Sequence, residues 1–329
     1  MVPGSLAIIG ASFPENSRGK AIGTWSGFTT ITSAIGPVLG GWLIAEVSWR
    51  AAFFLSIPIA ILVLAITFWR VPESRAGGPR GKLDVWGAAF VTAGLGCVVY
   101  GLIRSSVQGF SNATVIASLA GGGFFLTAFF IVESRVQSPM LPLPIFRSRT
   151  FSGTNLQTFL LYAALGGALF FLPLNLIQVQ GYSATAAGAA FLPFILIIFL
   201  LSRWSGGLVA RIGARLPLVV GPLISAVGFA LLALPGVRTT YWTGFFPGMV
   251  ALGFGMAVSV APLTTTIMNS VDADQSGIAS GINNAVSRTA GLIAVAALGI
   301  LMLQGFGRSL DRRLTALKLP AAVERSVEG

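Results

Sequence analysis

Between Lys20 and Glu46 the chain carries no charged residue. The stretch 21–45 is mostly apolar, and at ~1.5 Å rise per residue a helix of that length crosses a hydrocarbon core of ~30 Å. Apolar runs near this length recur along the whole sequence, which restricts the fold more than any other feature. Composition agrees: 54% of residues are hydrophobic and 9% charged, against ~25% charged in soluble domains. The chain therefore reads as an all-α polytopic membrane protein. Within the first stretch, glycines four apart (Gly23/Gly27, Gly36/Gly40) let another helix approach closely. Pro37 frees backbone groups that neighbouring helices must satisfy.

Taken in order, 1–13 is too short to span, and nine spans follow: 21–45, 51–69, 85–103, 114–132, 151–177, 184–202, 216–235, 241–262 and 278–303. The linkers 70–84 and 133–150 are basic and rich in Gly or Pro, and the prolines of 139–144 exclude a regular helix there. The expected domains are 1–70, a central pair at 71–150, a second bundle at 151–303, and a basic tail at 304–329. Leu310, Leu314 and Leu317 in the tail have helical spacing, which fits an interfacial or ordinary amphipathic helix. Numbering the loops alternately puts twelve Lys and Arg on one side, from Arg18 and Lys20 to Arg211 and Arg215, and three on the other, Arg50, Arg104 and Arg238, where the five of the tail also fall by parity. The first side is cytoplasmic by the positive-inside rule. That placement accounts for the net charge of +11 without nucleic-acid binding.

Several chemistries are excluded. Histidine is absent and Cys97 is the single cysteine, so Ser-His-Asp catalysis, His metal sites and intrachain disulfides are out. No Walker or dinucleotide motif appears, and an enzyme is not expected. All ten acidic residues lie in loops or at span ends, with Glu46, near the outer surface, the remaining candidate for a proton carrier. Asn155, Gln157, Phe159 and Tyr162 bring polar and aromatic groups to one span, as a wall for amphipathic compounds requires. Arg288 lies inside the last span, where a charge costs roughly 2.5–3.5 kcal/mol on insertion scales. It should face the interior or a watery cavity, with a partner, or snorkel to the interface. Asn284 shares its face, and Asn283 precedes both.

Ser33-Ala34-Ile35-Gly36-Pro37-Val38-Leu39-Gly40-Gly41-Trp42 resembles the antiporter signature of the major facilitator superfamily, in its 14-span drug:proton antiporter branch. Thr32 stands where that pattern usually opens with glycine. Gly206-Gly207-Leu208-Val209-Ala210-Arg211-Ile212-Gly213-Ala214-Arg215 resembles the family's second-half loop motif, with Ala210 at the aspartate position. The run 139–146 is similar to the family's central linker, and Asn283-Asn284-x-x-Arg288-x-x-Gly291 resembles the start of span thirteen. The resemblance runs from the end of span four through span thirteen, which implies a partial major facilitator fold of about nine complete helices plus a stub, truncated at both ends. It further implies proton-driven export of small amphipathic compounds across the plasma (inner) membrane by alternating access, with no cofactor. In the family, Gly36, Pro37, Gly40 and Gly41 act in bending and closing the outer half, while proton-carrying residues lie mainly in spans without counterpart here. An organic-acid or sugar transporter of the same fold, and a non-transporting fragment, are the alternatives.

Overall fold

The computed structural model describes residues 2–70, 84–136, 139–272 and 275–317. In order the helices are α1 (Val2–Ser12), α2 (Glu15–Glu46), α3 (Trp49–Phe54), α4 (Ser56–Arg70), α5 (Val85–Gln108), α6 (Ala113–Glu133), α7 (Arg149–Gln178), α8 (Ala184–Ala189), α9 (Leu192–Gly206), α10 (Leu208–Ile212), α11 (Arg215–Ala233), α12 (Tyr241–Gly244), α13 (Phe246–Asn269) and α14 (Ser276–Leu317). Among the described residues there is no strand. Among the described residues, eight helical segments are long and apolar enough to cross a membrane, the first at Trp49–Trp69 and the last at Ser276–Ser309. Outside those eight, α2 runs 32 residues and holds the uncharged stretch. The partial major facilitator fold expected from the sequence fits this architecture. Most of the linker 70–84 and the end of the tail lie outside the described residues.

Local chemistry sets the helix ends. Asp84, Asn112, Ser148 and Ser183 each cap a helix start by accepting a backbone N–H from Gly87, Thr114, Phe151 and Ala186, which satisfies donors that lack an intrahelical partner. The proline-rich linker forms only a 3-10 turn, Leu143–Arg147. The last helix continues beyond its apolar part: α14 is 42 residues long and unbroken through Leu317. The leucine repeat of the tail thus extends the span's own helix, and Arg312 Nε donates to the Arg308 carbonyl at 3.1 Å.

The chain divides into two compact units: Met1–Arg80, Leu143–Leu161 and Ala168–Val286 in the first, and Gly81–Pro142, Tyr162–Gly167 and Ser287–Gly329 in the second. In the first unit α13 is the central element, packed against α2, α9 and α11. Small residues make those crossings close. A methyl at Gly23 would collide with the Ser202 carbonyl, one at Gly206 with that of Gly19, and one at Gly27 would stand 3.2 Å from the Phe199 carbonyl. A methyl at Gly228 would lie 2.6 Å from the Leu252 nitrogen. The expected close approach at Gly23 and Gly27 is therefore present, between α2 and α9. At Gly36 nothing lies within 4 Å.

In the second unit α5 and α6 form an antiparallel hairpin in which small and large residues interlock. Gly94 receives Leu126, whose Cγ would lie 2.8 Å from a methyl placed there. Gly101 receives Leu119 and Gly122 receives Val98, with 2.9 Å and 2.6 Å for the corresponding closest approaches.

Overpacking a tight helix crossing costs about 1–3 kcal/mol. Gly23→Val should accordingly lower the thermal unfolding midpoint of the detergent-purified chain, while Gly36→Ala leaves it unchanged. Equal midpoints would sink the assignment of Gly23 to the α2–α9 contact.

Candidate functional site

A buried polar connection between spans joins α7 and α14 in the first unit. Asn155 and Thr158 lie three residues apart, so they share one face of α7, and they are 4% and 0% exposed. Asn283 on α14 donates its amide to Thr158 Oγ1 at 2.8 Å and to Asn155 Oδ1 at 3.4 Å. The remaining donors turn back onto α7: Asn155 Nδ2 reaches the Phe151 carbonyl at 2.9 Å and the Thr158 hydroxyl the Thr154 carbonyl at 2.9 Å. Buried polar groups in an apolar span are costly unless paired, and here these pairings are made. Thr158 does not stand out in the sequence. Its place three residues after Asn155 is the available signal.

Gln157 does something else. Its Nε2 donates to the Leu218 carbonyl on α11. Pro222 lies four residues further along α11 and has no N–H, so the Leu218 carbonyl lacks its usual helical partner. Gln157 supplies that donor, as a neighbouring helix must in lipid. Phe159 is half-buried, as is Asn284.

The second unit contains the continuation of both helices. Arg288 is exposed on α14, and Tyr162 of α7 is half-buried. The helices touch backbone to backbone nearby: a methyl at Gly166 would lie 2.6 Å from Gly291 Cα.

The two glycine motifs fare differently. Throughout Gly36–Gly41 the backbone of α2 is helical. The side-chain surroundings of Pro37, and those of Glu46, lie outside the described residues, as does the packing at Gly40 and Gly41. In the loop motif, Gly206 is a helix-crossing position rather than a turn. Gly213 makes the turn, ending α10 at φ 78°, a conformation that glycine adopts without strain. Arg211 and Arg215 are exposed on either side of it.

Two concavities, of about 280 and 360 Å³, lie in the first unit at the start of α7 and the end of α13, sharing Ser148, Asn269 and Ser270. They stand at the end that the basic residues assign to the cytoplasm. Arg18 closes the same region, donating to the Gly10 carbonyl at 3.1 Å and to Asn269 Oδ1 at 3.3 Å.

Spans stapled by buried amides and crossed at glycines define a multi-pass integral membrane protein. The chain belongs to the Major Facilitator Superfamily, whose family model matches residues 1–295. It is similar to a tetracenomycin C resistance and export protein of Streptomyces glaucescens, 30% identical over 100% of this chain and 62% of that protein. It is also similar to a multidrug resistance protein of Mycobacterium tuberculosis, 30% identical over 98% of this chain and 60% of that protein. A cephamycin export protein of Amycolatopsis lactamdurans is 31% identical over 94% of this chain and 64% of that protein. The chain thus spans about three-fifths of the length of these relatives.

Interhelical hydrogen bonds in membranes average about 0.6 kcal/mol in double-mutant cycles. A cycle of Asn283→Ala and Thr158→Val, read by thermal or denaturant unfolding in detergent, should return a coupling of that order. Additive losses would refute the bond.

Proposed function

We propose that this chain serves in a drug:proton antiporter of the 14-span branch, exporting small amphipathic compounds by alternating access. The α7–α14 pair carries the reading. Its buried Asn155–Thr158–Asn283 connection shares α7 with half-buried Phe159. Aromatic walls with a few polar anchors suit drug-sized ligands. The names of the similar proteins, which refer to tetracenomycin C, cephamycin and multidrug resistance, support the same substrate class. In this reading the energy comes from a proton gradient, no cofactor takes part, and the protein sits in the plasma (inner) membrane. Gly36, Pro37, Gly40 and Gly41 serve the closing of the outer half, Arg211, Gly213 and Arg215 the cytoplasmic turn, and Gly206 the helix crossing beside it. Arg288, an exposed cation within a span, favours a second reading, an organic-acid transporter of the same superfamily.

Uptake of a cationic fluorescent dye into inverted vesicles under an imposed proton gradient tests this. The chain itself is compared with a version extended to the length of its relatives. Dye movement abolished by a protonophore is expected from the extended form, and Asn283→Ala should slow it by roughly fivefold, the equivalent of ~1 kcal/mol. Competition by organic anions in place of cations would move the assignment to the second reading. If neither form moves dye or protons, the antiporter reading fails.

A further inference from the structure

Two carboxyl groups left aside by the transport reading meet at one end of the α5–α6 hairpin. Asp84 precedes α5, and Glu133 ends α6; the antiparallel arrangement brings the start of one helix beside the end of the other. Each uses one oxygen on the backbone. Asp84 Oδ1 accepts from Gly87 N at 2.8 Å, and Glu133 Oε2 accepts from Leu141 N at 3.1 Å. Glu133 is only 3% exposed. The other two oxygens, Asp84 Oδ2 and Glu133 Oε1, are both buried and have no hydrogen-bond partner. Both face Gly87: a methyl there would lie 3.1 Å from Glu133 Oε1 and collide with Asp84 Oδ2.

Two ionised carboxylates cannot share such a place cheaply. Each bare oxygen would be desolvated without a donor, and the like charges would repel. A single proton resolves both problems, because one oxygen then donates and the other accepts. We propose that Asp84 and Glu133 form a proton-binding site in which the two carboxyl groups share one proton. A helix end decides its position. Glu133 sits at the negative end of α6, which favours its neutral form. The proton is carried by Glu133 and donated to Asp84. Among the described residues of the hairpin and of the segment after it, the basic side chains are Arg104, at the opposite end of α5, and Arg135, which is exposed. A hard metal cation would suit the place poorly, since it takes six or more oxygen ligands and two oxygens here are engaged. Because Glu133 also holds Leu141, its protonation is linked to the segment that leads out of α6.

The site is tested without any transport assay, by labelling membranes that contain the full chain with a hydrophobic carbodiimide, which reacts with protonated carboxyl groups. Label at Glu133 is quantified by mass spectrometry across a pH series, with exposed Asp272 as the reference. Glu133 should still be labelled near neutral pH, where Asp272 is not. Asp84→Asn keeps the cap on Gly87 but removes the like charge and supplies a donor, so the label at Glu133 should fall about tenfold at that pH. Three results would overturn the proposal: a Glu133 curve that coincides with that of Asp272, no change in Asp84→Asn, or protection of the wild-type residue by millimolar Ca²⁺ or Mg²⁺, which would make the pair a cation site. The wild-type curve alone decides if the variant does not accumulate.

Discussion

Hydrocarbon gives helices no hydrophobic reason to associate, so the packing of this chain depends on how closely backbones can approach. The positions that permit the closest approaches are glycine and serine. In the first unit α13 is the most buried of the eight candidate spans among the described residues. Its Gly255 fits against Ser225 of α11 and its Gly253 against the Phe194 carbonyl of α9. Bulk at either position would push a neighbour away by the width of a side chain. The glycines thus determine which helices can be neighbours, and the large apolar residues fill what remains.

The second requirement is that no backbone or amide group is left bare in lipid. Prolines in α7, α11 and α13 each remove a helical donor. The case of Leu218 shows how the loss is made good, by a glutamine from the next helix. Asn283, Thr158 and Asn155 satisfy one another in the same way, and Arg18 does so for the end of α1. These contacts fix register as well as proximity, since a hydrogen bond tolerates less sliding than an apolar surface does.

How much of this was legible in the sequence depended on the range of the signal. Span positions followed from uncharged runs, because crossing a fixed thickness of hydrocarbon requires a fixed length. The glycine spacing at Gly23 and Gly27 correctly indicated a close helix neighbour, although not which one. The polar face of 151–177 was visible as a pattern, yet its members separated: Asn155 turned to α14 and Gln157 to α11. Neighbouring positions on a helix differ by about 100° in direction, and only the three-dimensional arrangement says what each direction meets. Arg288 was expected to face the interior or a watery cavity, or to snorkel to the interface, and it is exposed on α14. The Asp84–Glu133 encounter went unseen because each acid was read as an end of its own span. An antiparallel hairpin makes the first residue of one span the neighbour of the last residue of the next, so that pairing was available from the order of spans alone.

The interlocked hairpin of α5 and α6 also has a consequence for biosynthesis. Gly94, Val98 and Gly101 find their complements Leu126, Gly122 and Leu119 within a single contiguous stretch of chain. Every contact in that set closes over a short loop, so little chain entropy opposes it. The pair can assemble as soon as both helices have left the ribosome and entered the bilayer, without waiting for distant partners.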